Sequence, residues 1–211
     1  MSSYEDKIWF DGNRRLDAIC QDALDAAADR SNALILAHFK TTLTTVEDRL
    51  NARSIEYKSY SPLDFSSLCP RAFESESASI WVGNASHFQA RSLPPAERSR
   101  SSLRILIAEH HPIASRDQAL LDAASSMSCN AEVIYHTSLT DPLLLHFGGE
   151  KLRGLMKQLG MEEQDCVSHP MISKAIKNAQ EKIQSQIERE MQTNSPEEWF
   201  RFNLPHRNQP L

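Results

Sequence analysis

The sequence predicts an α/β fold: a doubly wound, mostly parallel sheet followed by a long C-terminal helical extension. Two observations carry this prediction. Short apolar runs alternate with segments of helical spacing through the first 140 residues, and such alternation favours parallel strands joined by right-handed crossovers. Beyond residue 140 the spacing of apolar residues is helical throughout.

The first quarter of the chain alternates helix and strand. Over residues 11–30 apolar side chains recur every three or four positions, which predicts a helix with one buried face. The uninterrupted apolar run 33–37 predicts a strand covered on both faces of the sheet. Helical spacing returns over 41–53, and residues 55–60 alternate in polarity as a second strand would.

The same alternation continues through two loops. The serine-rich stretch 61–79 predicts a loop, and a third strand follows at 80–82. Adjacent prolines among arginines and serines make 90–102 a solvated connection. The remaining predicted elements of the sheet domain are a fourth strand at 103–108, a helix at 115–127 and a fifth strand at 131–136.

Two helices are predicted beyond the sheet, over 141–158 and from 168 to about 193. The second would carry a narrow apolar stripe and, at about 1.5 Å per residue, extend too far to bury that stripe on itself. The stripe therefore needs a partner surface, and the first functional hypothesis below assigns that surface to another protein. The tail 194–211 has prolines between aromatic residues, so we expect it to be irregular, with its aromatic rings docked on the domain or on another chain.

Composition narrows the classes of function. The net charge of -5, from 23 basic and 28 acidic residues, lacks the basic excess of nucleic-acid binders. The sequence shows neither a signal-peptide pattern nor an apolar run near the ~20 residues that a membrane span requires. Four scattered cysteines without a CxxC pair are typical of reduced thiols. We therefore expect a cytoplasmic chain that binds no nucleic acid, holds no metal and contacts a membrane at most peripherally.

Several short segments after residue 137 share the order and spacing of a known junction. They are Ser138-Leu139, Asp141, Leu143, Phe147-Gly148, Leu159-Gly160-Met161, His169-Pro170 and the run from Lys174 to Gln180. This pattern resembles the junction in the preprotein translocase ATPase SecA, where the second RecA-like motor domain joins a long scaffold helix. Further upstream, the matching residues are Glu109, His111, Asp117 and Leu120.

The resemblance covers nearly the whole chain and implies its organisation. It implies a RecA-like α/β domain at 1–140, a helical junction with a scaffold-like helix at 141–193 and an irregular Pro/aromatic tail at 194–211. By this resemblance the chain is a SecA-like module of protein transport with a P-loop NTPase-like fold.

The residues of ATP chemistry are missing from the pattern. The motor arginines of the family fall on Ala123 and Ser126, and the glycine-rich loop falls on residues 86–91, which contain neither glycine nor aspartate. An arginine that neutralises charge on the transferring phosphoryl group typically speeds the step by about 10³- to 10⁵-fold. The phosphate-binding pattern Gly-x4-Gly-Lys-Ser/Thr does not occur in the sequence. The resemblance therefore implies a degenerate ATPase domain with no catalytic residue and no cofactor.

Two functional hypotheses follow from the resemblance. The first is a non-catalytic module that binds another protein, either a translocation component or a second copy of itself. Its candidate interaction residues are Arg153, Lys157, Ile176, Ile183, Ile187 and Trp199. The alternative is a nucleotide-binding subunit that completes an ATPase cleft with a separate chain. In that case His38, Asn84 and Glu109 would bind ATP, because they follow strands at the edge where doubly wound sheets hold ligands.

Glu109, His110 and His111 also resemble a metal or acid–base cluster. Adjacent residues at a strand end point to opposite faces, and no pair of ligands at i, i+4 on a helix accompanies them. The sequence therefore favours a polar cluster at a strand-to-loop boundary. A third hypothesis, that the chain is a decayed fragment that folds without an activity, stays open, since fold and site are separable.

Overall fold

The computed structural model describes residues 4–68, 78–89, 101–146, 153–154, 162 and 165–204. Within them the strands are, in chain order, β1 (Tyr4–Trp9), β2 (Asn32–Ala37), β3 (Lys58–Ser59), β4 (Ile80–Asn84), β5 (Ser102–Ile107) and β6 (Asn130–Ser138). The helices are α1 (Gly12–Ala28), α2 (Lys40–Ala52), α3 (Ala114–Ser125), α4 (Pro142–His146), α5 (Pro170–Gln184) and α6 (Pro196–Asn203).

The strands described form one six-stranded sheet in the order β1-β6-β5-β2-β4-β3. Every pairing among them is parallel. From β2 the chain crosses to β3 at one edge, returns to β4 and then passes to β5 on the other side of β2. The order thus reverses around β2, and the predicted doubly wound α/β class is confirmed.

Helices cover both faces of this sheet. All residues of β2 are buried, and its side chains alternate between the two faces. Ile35 packs with α1 and α2 on one face, whereas Leu34 and Leu36 pack with α3 and the 3-10 helix Pro62–Leu68 on the other. Burial of each such side chain contributes about 1.5–3 kcal/mol, which explains why a central strand is a continuous apolar run.

The strand β1 was absent from the sequence prediction. It is an edge strand whose sequence, YEDKIW, alternates between buried and partly exposed positions. Asp6 and Ile8 are buried, while Lys7 lies 2.6 Å from Asp22 of α1. The strand contains a run of three charged residues, which hides the alternation of polar and apolar side chains. One of them, Asp6, is buried because it contacts a residue far along the chain. At the opposite edge, β3 is shorter than the predicted 55–60.

The C-terminal helix is shorter than predicted. Helix α5 has 15 residues and ends at Gln184, so the long scaffold-like helix to residue 193 is wrong. The last carbonyl groups take other donors: Ser185 Oγ and Gln186 Nε2 both donate to the carbonyl oxygen of Lys182. Such local bonds compete with continuation of a helix.

The chain then returns along the domain, and the tail is not irregular throughout. Ser195 caps α6 by accepting from Glu198 N, and Pro196 occupies the first turn, where a missing N–H costs nothing. Ile176 and Ile183 of α5 are buried with Trp199 of α6. The expectation that this stripe needs a second protein is therefore wrong for these side chains, which the chain buries itself.

Candidate functional site at the carboxyl edge of the sheet

The polar residues singled out in the sequence meet at one edge of the sheet. His38 follows β2, Asn84 ends β4, and Glu109 follows β5. These strands are neighbours, and their carboxyl ends lie where the strand order reverses. Doubly wound folds bind ligands at this edge, so it is the candidate site of the chain.

Glu109 caps helix α2. Only 3% of the residue is exposed, and its Oε1 accepts the backbone N–H groups of His38 and Phe39, each at 3.1 Å. Its Oε2 accepts the hydroxyl of Thr42 at 2.6 Å. Burial raises the pKa of the Glu109 carboxyl, against the opposing effects of Arg15 and these hydrogen bonds. The side chain thus satisfies two backbone donors immediately before the first turn of α2.

Asn84 has a comparable local role. Its Oδ1 accepts the backbone N–H of Ser86 at 2.8 Å and the Ser86 hydroxyl at 2.6 Å. It thereby caps the 3-10 helix Ala85–His87. The amide oxygen that could contact a ligand is engaged in this cap.

A buried chain of ionisable groups lies beneath the edge. His110 Nδ1 is 2.7 Å from Asp117 Oδ2, and His110 Nε2 is 2.9 Å from Asp6 Oδ1. Asp117 Oδ1 is 2.9 Å from His38 Nε2. Burial by itself would lower the pKa of His110, but bonds to Asp117 and Asp6 raise it to about 10. Burial would raise the pKa of Asp117, but the His110 charge holds it well below its usual range.

The geometry of this network indicates a structural role. Both ring nitrogens of His110 are bonded to carboxylates, and the ring stacks on Tyr135 with centroids 4.2 Å apart. An acid–base catalyst needs a ring nitrogen free to exchange its proton with a substrate. The sequence interpretation of Glu109, His110 and His111 as a strand-end polar cluster agrees with these contacts.

His111 faces the C-terminal segment. Its Nδ1 accepts the backbone N–H of Ile113 at 3.0 Å, so the proton lies on Nε2, 3.3 Å from Glu190 Oε1. Burial lowers the pKa of His111. Its ring stacks on Phe39 and meets Trp199 edge to face at 5.9 Å.

The C-terminal strap, defined as residues 187–204, covers this edge of the sheet. Glu190 Oε2 accepts from Arg116 at 2.7 Å, and Glu190 Oε1 accepts from the indole N–H of Trp199 at 3.0 Å. The hydrogen bond from His111, followed by those from Arg116 and Trp199, lowers the pKa of Glu190 to about 2. Trp199 itself is 1% exposed.

Two polar cavities remain between the strap and the strand ends. One, of about 280 Å³, is lined by His38, Asn84, Arg116, Glu190 and Trp199 among others. The other, of about 420 Å³, lies beside Arg15, Glu109 and Asp141. Asp141, at the junction after the sheet, is bound by both oxygens to Arg15 Nη1 at 2.6 and 2.7 Å. These cavities are open space between the strap and the carboxyl edge of the sheet.

Ala123 and Ser126, the positions on which the resemblance places motor arginines, have structural contacts. Ala123 is 0% exposed and packs on α3 against the sheet. Ser126 is the C-cap residue of α3, and its hydroxyl donates to the carbonyl oxygen of Ala123. An arginine does not fit at a fully buried alanine position, and no cation reaches the carboxyl edge from either residue.

The predicted interaction residues are distributed unevenly. Ile176, Ile183 and Trp199 are buried in an apolar cluster, named here the edge cluster, and Ile187 packs partly buried against it. The members of the edge cluster are Ile8, Phe10, Phe39, Ile113, Leu139, Leu143, Leu144, Ile176, Ile183, Trp199 and Leu204. Arg153 is a half-buried helical residue, and Lys157 lies outside the described residues.

Sequence reasoning missed four residues that organise the site: Asp6, His110 as an ion-pair centre, Gln180 and Glu190. Asp117 and Gln180 belong to the SecA-like pattern, a signal that pointed to them without showing that they touch. Asp6 and Glu190 have no local signal.

The expectation of reduced thiols is wrong for Cys129, which is disulfide-bonded, whereas Cys20 and Cys166 are free.

Comparison with known proteins gives a partial similarity. No family model matches the chain. It is 34% identical over 93 residues to the protein translocase subunit SecA of Acidithiobacillus ferrooxidans, covering 44% of this chain and 10% of that protein. With SecA of Prosthecochloris aestuarii it shares 37% identity over 89 residues, 42% of this chain and 9% of the relative. The chain thus spans about a tenth of the length of these relatives.

Among solved structures, the C-terminal part of the Fun30 ATPase domain is similar with a TM-score of 0.42 and 17% identity. That similarity covers 81% of this chain and 54% of the other. Within the described residues, no helix combines the length and apolar character needed to cross a bilayer.

Proposed function

We propose that this chain is a SecA-like, RecA-like module that acts in protein translocation by binding another protein and does not hydrolyse ATP by itself. The observation that carries the proposal is the strap itself. Residues 187–204 cover the edge of the sheet where a doubly wound fold would hold a nucleotide, with the two polar cavities left beneath them.

The similarity to SecA over nearly half of the chain supports a role in translocation. The chemistry of the edge supports a non-catalytic role. Glu109 and Asn84 are committed to helix caps, and His38 is committed to Asp117. Phosphoryl transfer depends on cations aimed at the phosphate, and the buried Ala123 supplies none.

One observation favours the alternative, a nucleotide-binding subunit that completes an ATPase cleft with a separate chain. Arg116 and Lys40 line the cavity of about 280 Å³ at the strand ends, and both are partly exposed. Under this alternative ATP is the ligand, and a separate chain supplies the phosphate-binding loop. The proposed partner in the first case is a translocation component or a second copy of this chain, in the cytoplasm.

Two measurements separate the candidates. Immobilised full chain is titrated with the purified SecA of the same cell, and the same chain is titrated calorimetrically with ATP and Mg²⁺. The interaction role predicts saturable binding of SecA that does not depend on ATP. Failure to bind SecA, together with saturable ATP binding that is lost in Arg116→Ala, would favour the nucleotide-binding subunit.

A further inference from the structure

We propose that the carboxyl edge of the sheet is a docking surface for an acidic–aromatic segment of another protein, kept closed by the C-terminal strap. The proposal rests on the interaction role proposed above and specifies its surface and the chemistry of its partner. The strap is the model for that partner, because it already occupies the surface.

The first feature of the surface is a pair of donors for a carboxylate. Arg116 Nη2 and His111 Nε2 come from α3 and from the loop before it, and both meet Glu190 of the strap. His111 is held in the donating tautomer by the N–H of Ile113. Arg116 is about half exposed, with 49% of its side chain accessible, so an incoming carboxylate can reach it.

The second feature is a receptacle for an indole. Trp199 lies in the edge cluster with Phe39 and Ile113, its ring against His111. Its N–H is satisfied by Glu190, a residue of the same segment. A buried tryptophan in a pocket rimmed by polar groups has the composition of an interface hot spot. A tryptophan at the end of an acidic segment therefore fits this receptacle.

The third feature is a pair of donors for a backbone carbonyl group. The backbone N–H and the hydroxyl of Thr41, in the first turn of α2, both donate to the carbonyl oxygen of Asn194, at 3.0 and 3.2 Å. These two groups can donate to a carbonyl oxygen of any extended backbone that passes the same point. Three groups of the strap thus meet the surface in sequence order: the carboxylate of Glu190, the backbone carbonyl of Asn194 and the indole of Trp199.

The strap can leave without unfolding the sheet. Between Gln184 and Pro196 the described chain has neither helix nor strand. Helix α6 has eight residues, too few to be stable in isolation, so it is helical because it is docked. Several residues that connect it, including Met191, are exposed. Opening of such a segment costs less than global unfolding, as for other peripheral units.

The test uses the full chain and a fluorescently labelled peptide of residues 187–204. The variant Trp199→Ala releases its own strap, and we expect it to bind the peptide at least about tenfold more tightly than the wild-type chain does. A peptide in which Glu190 and Trp199 are both alanine is the matched control, and it should not bind. Equal binding of the native peptide to both chains, or binding to neither, would refute the docking surface.

Hydrogen exchange checks that the Trp199→Ala variant opens the strap without unfolding the sheet. The amides of β2 must stay as protected as in the wild type, while those of the strap exchange faster. If Trp199→Ala also loses protection in β2, the full-length variant Glu190→Ala takes its place with the same expected gain. Absence of peptide binding alongside intact binding of SecA would reject this surface and leave the proposed interaction role standing.

Discussion

Gln180 of α5 donates a hydrogen bond of 2.7 Å to Asp117 of α3, across 63 residues of sequence. The same amide also donates to the carbonyl oxygen of His111 at 2.7 Å. Both side chains are buried. The helix beyond the sheet is therefore fixed to the domain through the ionised network of Asp117, and the strap that follows it starts from a fixed point.

Replacement of Asp117 by asparagine should strongly destabilise the chain. The change removes the charge that His110 is bonded to and leaves donors on His38 and Gln180 competing for one oxygen. Removing one member of a buried ion pair typically costs about 3–5 kcal/mol. Urea denaturation followed by circular dichroism measures the loss.

The matched control for this experiment is Asp122→Asn. Asp122 lies on the same helix but is exposed, where it accepts from Gln118 at 2.9 Å. Its replacement should change the free energy of unfolding by less than about 0.5 kcal/mol. Equal losses in the two variants would show that the buried network contributes nothing specific.

Stability should fall in mild alkali because of His110. Its pKa in the fold, about 10, lies above the ordinary value of 6.5, so the folded chain binds one proton more than the unfolded chain between these values. The stabilisation is complete below the unfolded pKa and is lost as the pH rises through the folded one. We expect the free energy of unfolding to fall by about 1.4 kcal/mol per pH unit from roughly pH 7 upwards.

The variant His110→Gln identifies the titrating group. It lacks the imidazole, so its unfolding free energy should be lower at neutral pH but nearly constant between roughly pH 7 and 9. Denaturant titrations at a series of pH values give both profiles. A wild-type profile parallel to that of the variant would exclude His110 as the source of the alkaline loss.

Glu109 should tolerate glutamine and not alanine. Alanine leaves the buried N–H groups of His38 and Phe39 without an acceptor, at a cost of about 1–3 kcal/mol. Glutamine keeps an acceptor oxygen, and burial already disfavours the charged form of Glu109 by raising its pKa. Thermal unfolding of the two variants checks the order; a glutamine variant less stable than the alanine variant would contradict the capping role.

Glu190 should matter less as the solution is acidified. Its pKa in the fold, about 2, lies below the ordinary 4.5, so the stabilisation it provides is present above the unfolded pKa and is lost as the pH falls towards 2. The melting temperatures of wild type and Glu190→Gln should differ at pH 7 and converge near pH 2. A constant difference across this range would show that the carboxylate charge does not hold the strap.

The sheet could largely be predicted from sequence, and its edges could not. The run of β2 is apolar throughout because both of its faces are covered, which makes the strand visible locally. In β1 the buried Asp6 is stabilised by His110, 104 residues away, so no local pattern distinguishes it from a solvated charge. Strand prediction from sequence uses only neighbouring residues. It therefore does not detect a carboxylate that is buried because of a contact with a residue far along the chain.

At the site, the sequence identified the edge and misjudged what covers it. His38, Asn84 and Glu109 do lie at adjacent strand ends, because parallel strands align their carboxyl termini. The prolines of the tail predict irregular chain, so the sequence does not reveal the strap. The sequence Ser195-Pro196-Glu197-Glu198 carries a signal for a helix start, with a capping serine and a glutamate three residues later. That signal predicts α6, although not where it packs.

We propose that this chain binds a protein and carries out no ATP chemistry by itself. The most direct measurement is the steady-state rate of phosphate release from ATP and Mg²⁺ by the purified full chain, compared with the Arg116→Ala variant of the same preparation. We predict that the two rates are equal and indistinguishable from the buffer blank. A wild-type rate above that of the variant, proportional to the concentration of the chain, would contradict the account.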